Sequence, residues 1–194
     1  MAISHSGLIR TLDCSARTRP FVVIVSTIIA LSMTALGAAE QQRAADLAGP
    51  TLLDQLAGHW TMTGMLGGKR ITHDVDAEWV LKHEYLRFHE VSGDKDKTGT
   101  PAYEAIVFIS WDTKANEYRC LWLDNTSGVG LSAPIARGKK SGDAIALVFT
   151  QLQREALHTT FSYDRSSDTW RITIDDVTGS KTDRFGDVKL GRAK

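Results

Sequence analysis

The chain has 194 residues with 23 basic and 23 acidic side chains, so its formal charge is zero. A dedicated binder of nucleic acid or of an acidic membrane surface shows a marked basic excess, and neutrality argues that class away. Two cysteines exclude a small disulfide-stapled scaffold, and the length suits one domain with a sizeable core.

Residues 1–39 read as a secretory signal peptide. Arg10, Arg17 and Arg19 make a positive leader, Phe21 to Leu36 an apolar run broken only by Ser and Thr, and Gly37, Ala38 and Ala39 a small-residue cleavage region. The run is short for a membrane span, which takes ~20 apolar residues. An uncleaved anchor is the alternative, and the membrane would then be touched through this segment alone. Cleavage leaves 155 residues with 20 basic and 22 acidic groups, a net charge of minus two, and Cys120 as the only thiol. The expected location is the periplasm or the medium outside the cell.

Residues 40–50 are polar and Ala-rich and read as a leader, and the domain proper spans 51–194. Thr51 is a capping residue type ahead of Leu52, Leu53 and Leu56, which predicts one or two helical turns ending at Ala57. Beyond Gly58, runs rich in Val, Ile, Thr and aromatics alternate with Gly, Asn, Asp and Ser clusters. They predict about ten strands: His59–Leu66, Ile71–Leu81, Tyr85–Val91, Ala102–Trp111, Glu117–Asp124, Val129–Arg137, Ala144–Gln151, Leu157–Tyr163, Trp170–Asp176 and Lys181–Leu190. Nearly every connection, the Leu152–Ala156 link among them, is of hairpin length, so consecutive strands are antiparallel neighbours. No segment has room for the crossover helix that a parallel sheet needs. Closure into an up-and-down antiparallel barrel removes the exposed edges, which makes the expected fold all-β.

Alternation fixes which side chains face inward. Ile71, His73, Val75, Ala77, Trp79 and Leu81 share one face of the second strand, and Thr72, Asp74, Asp76 and Glu78 share the other. The same pattern recurs in Tyr103, Ala105, Val107, Ile109 and Trp111. About eight strands already suffice to enclose one small ligand, so a barrel of this size predicts an internal pocket.

The short helix leading into Gly58-His59-Trp60 resembles the Gly-x-Trp start of lipocalin-like (calycin) barrels. In those proteins the Trp closes one barrel end and a basic residue near the last strand covers it; Arg192 matches that residue. Trp111-Asp112, followed by Tyr118, Trp122, Asp124 and Gly128, resembles the central signature of a bacterial lipocalin-like family of unknown function, domain family 1579. Trp111 stands where that signature has Tyr. The resemblance spans Leu52 to Arg192 and implies a calycin barrel without implying an activity.

His73 is the residue with most chemistry, because its register places an imidazole among apolar neighbours. An imidazole there can act as acid or base or bind a metal or haem iron, and the alternative is a core histidine hydrogen-bonded to a neighbour. Glu90, in register with Leu86 and Phe88, also points inward, where a carboxylate needs a partner. Tyr118, Cys120, Trp122 and Asp124 fall on one face of the fifth strand. Facing inward, they offer a hydroxyl, a thiol, an indole and a carboxylate to a guest; alternatively the rings are packing and Asp124 starts the turn to Gly128. With Trp79, these make seven pocket candidates. No histidine pair has zinc-site spacing, so no metal is expected. The reading that follows is a secreted barrel binding a small hydrophobic molecule, with no nucleic-acid partner. The alternatives are an isomerase, lyase or hydratase that moves a proton in the same cavity, and a haem-binding barrel.

Overall fold

A computed structural model describes residues 52–150 and 156–194. The expected signal segment, the leader, Thr51 and all but the last residue of the Leu152–Ala156 link lie outside the described residues. A helical turn over 52–56 leads into ten strands. They are β1 (Gly58–Leu66), β2 (Lys69–Val80), β3 (Tyr85–Ser92), β4 (Glu104–Asp112) and β5 (Glu117–Asp124), then β6 (Ile135–Ser141), β7 (Ala144–Phe149), β8 (Ala156–Asp164), β9 (Thr169–Thr178) and β10 (Lys181–Arg192). Each strand pairs antiparallel with its sequence neighbours, and β1 pairs with β10 from Trp60 opposite Arg192 to Leu66 opposite Gly186. The result is a closed ten-strand up-and-down barrel, the predicted all-β architecture.

Most strand boundaries differ from the sequence-based expectation by a residue or two, and three of the differences bear on the turns and loops around the barrel. The sixth strand is displaced from Val129–Arg137 to Ile135–Ser141, and Gly130–Ser132 forms a 3-10 turn instead. Gly128 and Gly130 have φ of +69° and +55°, a left-handed conformation that no strand tolerates, and Pro134 supplies no ladder donor. Leu81 is not the end of β2; with φ of +50° it opens the turn through Lys82 and His83 that reverses the chain into β3. The seventh strand stops at Phe149, with Thr150 already outside it; the expected end, Gln151, lies outside the described residues.

Alternation is visible in the burial: along β3, Leu86, Phe88, Glu90 and Ser92 are buried and the residues between them are not. The interior holds Trp60, Val107, Ile109, Tyr118, Phe161 and Trp170 among its fully buried side chains. Phe88 meets Phe161 edge-on across the barrel, with ring centroids 6.2 Å apart. That crossing fills the waist.

The end where β1 begins is closed by the helical turn. Its last carbonyls have no partner within so short a helix, and indoles supply them. Trp60 Nε1 donates to Leu56 O at 2.8 Å and Trp170 Nε1 to Gln55 O at 3.2 Å. Arg192 lies over the Trp60 ring, its Cζ 3.8 Å from the centroid, and Nη1 donates to Ala57 O at 2.9 Å. Arg192 therefore covers Trp60 at this end of the barrel. Gly58 makes it possible, since its φ of +129° is a glycine conformation and a Cβ there would stand 2.3 Å from Arg192 Nη1.

Candidate functional site

The opposite end of the barrel holds a cavity of about 460 Å³. It is bounded by the β1–β2 turn at Gly67, by Phe185 at the irregularity within β10, and by the segment from Thr126 to Pro134 between β5 and β6. Its apolar walls include Met62, Phe149, Leu157, Ile172 and Val188. Glu90, Tyr103, Asp124 and Thr159 add polar groups, and Lys69 brings an exposed cation. The volume is of the order expected for a small-molecule site, roughly 300–1,000 Å³.

One wall carries a chain of four polar side chains. His73 and Glu90 are 3% and 2% exposed, and His73 Nδ1 lies 2.5 Å from Glu90 Oε1. Because a carboxylate oxygen accepts, that contact places the ring proton on Nδ1. The β2–β3 register explains the meeting: Val75 lies opposite Glu90 and His73 opposite Ser92, so the two side chains are diagonal neighbours on the inner face. The imidazole stacks on the Tyr103 ring at 5.6 Å and 20°. The Tyr103 hydroxyl accepts the Trp122 indole N–H at 3.2 Å. Burial, then the nearby negative charge of Glu90, pushes the Tyr103 phenol well above its ordinary range, so it remains a protonated donor.

Of the seven residues singled out in the sequence, Glu90, Trp122 and Asp124 line the cavity. His73 stands directly behind Glu90 and does not line it. Tyr118 and Cys120 are fully buried core outside the cavity lining, and burial raises the pKa of both. Trp79 belongs to the closed end, where its Nε1 donates to Asp54 at 2.8 Å and its ring stacks on His83 at 4.0 Å. Asp124 does both things weighed for it: it borders the cavity, and its Oδ1 accepts the Thr126 and Ser127 backbone N–H groups at 2.8 and 2.7 Å.

Tyr103, Phe149, Thr159 and Lys69 are lining residues that the sequence reading passed over as site members. Tyr103 and Thr159 carried a signal, each standing two residues from an inward apolar neighbour, Ala105 and Phe161. Among the described residues no group of three or more His, Cys, Asp and Glu is placed to hold a metal ion.

Fold and site together define a class: a closed antiparallel barrel, capped at one end, with a largely apolar cavity at the other. No known family profile matches the chain, and no curated protein matches its sequence significantly.

Proposed function

We propose that this barrel is a container for a small, largely apolar molecule. The cavity carries the reading: about 460 Å³ of space, walled by Met62, Phe149, Leu157 and Ile172, in a barrel whose other half is filled by its own side chains. A short list of polar groups against an apolar lining is the composition that binds and orients a small molecule. The likeness of Gly58-His59-Trp60 and of the segment Trp111 to Gly128 to lipocalin-like domains, family 1579 included, supports the same reading. In it, residues 1–39 direct the chain to the periplasm or beyond, nucleic acid is no partner, and the guest is met outside the cytoplasm. The test is native mass spectrometry and solvent extraction of protein purified from its own host. A stoichiometric organic guest is expected; an empty protein that also fails to take up an apolar fluorescent probe refutes the proposal.

The buried His73–Glu90 contact favours a second reading, proton transfer on a molecule held in the same cavity. Glu90 reaches the cavity and His73 holds it from behind, which is the arrangement of a carboxylate base with its orienting partner. Turnover of the extracted guest that is lost in Glu90→Gln while binding persists identifies this function. Recovery of the guest unchanged from both proteins refutes it.

A further inference from the structure

The polar wall of the cavity offers one hydrogen-bond acceptor and one donor that the described residues leave unused. Glu90 is 2% exposed and lines the cavity. His73 Nδ1–H occupies its Oε1, and among the described residues nothing donates to its Oε2. Tyr103 lines the same cavity with its ring stacked on His73, and its hydroxyl oxygen accepts the Trp122 N–H at 3.2 Å. The hydroxyl hydrogen of Tyr103 finds no acceptor among the described residues. Buried polar groups are costly without partners, so a guest that completes both bonds is favoured over one that completes neither.

The charges of the lining narrow the choice. Among the described residues its carboxylates are Glu90 and Asp124, and its cation is Lys69, exposed at the β1–β2 turn. A carboxylate guest only accepts: it satisfies Tyr103 but confronts Glu90 with a like charge in a low-dielectric wall. An ammonium only donates: it satisfies Glu90 and turns its hydrogens on the Tyr103 O–H. A hydroxyl both donates and accepts.

Resting on the container reading, we propose that the cavity selects an uncharged apolar alcohol or phenol, whose hydroxyl donates to Glu90 and accepts from Tyr103. The rest of the guest lies against Met62, Phe149, Leu157 and Ile172.

Four aromatics of one shape test this by equilibrium dialysis against the purified protein: naphthalene, naphthol, naphthoate and naphthylmethylamine. Naphthol is expected to bind about tenfold more tightly than naphthalene and at least about tenfold more tightly than naphthoate. Glu90→Gln and Tyr103→Phe each reduce the naphthol-to-naphthalene ratio by about fivefold or more, and Glu90→Gln also narrows the gap to naphthoate. Tyr103→Phe keeps the ring that stacks on His73, so it decides the matter should Glu90→Gln fail to fold. Naphthalene bound as tightly as naphthol, tightest binding of naphthoate or of the amine, or a ratio unmoved in the folded variants overturns the selection of a hydroxyl and leaves the container standing. Failure of all four to bind overturns both.

Discussion

Removing the imidazole of His73 tests whether the buried pair is an interacting unit. His73→Leu keeps an apolar side chain on the inner face of β2 and leaves Glu90, 2% exposed, with no donor to the oxygen that His73 holds at 2.5 Å. Breaking a buried ion pair by deleting one partner costs about 3–5 kcal/mol, because the survivor stays desolvated. Glu90 borders a cavity instead of being packed on all sides, which puts the expected loss at the lower end, about 3 kcal/mol. Replacing both residues, His73→Leu with Glu90→Leu, removes the stranded charge, and the double variant is expected within about 1 kcal/mol of the parent. Urea unfolding followed by tryptophan fluorescence measures all three, provided the slope on denaturant is unchanged. Losses that simply add in the double variant, or a single variant costing under about 1 kcal/mol, refute the reasoning, since coupled neighbours do not add.

Arg192→Lys is expected to cost about 1–2 kcal/mol, because an ammonium cannot lie flat over Trp60 while serving both the Ala57 carbonyl and Asp168; urea unfolding checks it, and parental stability refutes it. The Cys120 thiol, fully buried and with its pKa raised by that burial, is expected to resist a thiol-specific alkylating reagent until the barrel unfolds. Peptide mass mapping of the labelled site, with and without urea, measures this, and modification at the rate of a free thiol in the folded protein contradicts it. Hydrogen bonds from the Thr98 and Thr100 hydroxyls hold the Asp96 carboxyl at about 2, below its ordinary 3.8. A depressed folded-state value means that this loop contact is intact above pH 3.8 and is lost as the pH falls through about 2; a carboxyl carbon NMR titration with its midpoint near 3.8 refutes it.

Much of the barrel was legible because its inner and outer faces differ in kind. His73, Glu90 and Phe88 were placed inside by period-two counting alone, and the short links fixed which strands pair. The sixth strand was misplaced because its inward residues are Ala136 and Gly138, too small to print an apolar rhythm. Gly138 has to be small: a Cβ there would lie 2.5 Å from Ala146 O and 2.7 Å from a Leu147 methyl. Alternation also says nothing of depth along the barrel axis. Trp79 shares the inner face of β2 with His73, yet six residues of strand carry it to the end that the helical turn fills. Tyr118 and Cys120 likewise face inward below the cavity, while Trp122 and Asp124, on the same stripe, border it. Which end is plugged depends on where the chain's first helical turn docks, and the strands themselves do not encode that. Tyr103 went unread as a site residue because its role lies in its two neighbours, His73 and Trp122, which reach it from strands distant in sequence.

The plug of Leu52, Leu53 and Leu56 under Trp60 and Arg192 has a kinetic consequence. A tube stopped at one end has a single doorway, so the guest proposed for it, entering past the turn at Gly67 and Phe185 of β10, must back out the same way. Arrival and departure are then one path travelled in two directions, and a bound guest blocks its own replacement. Exchange of that guest has to wait for vacancy, and its residence time is governed at the rim, by the turn at Gly67, Phe185 of β10 and the loop from Thr126 to Pro134, rather than by the tightly packed base.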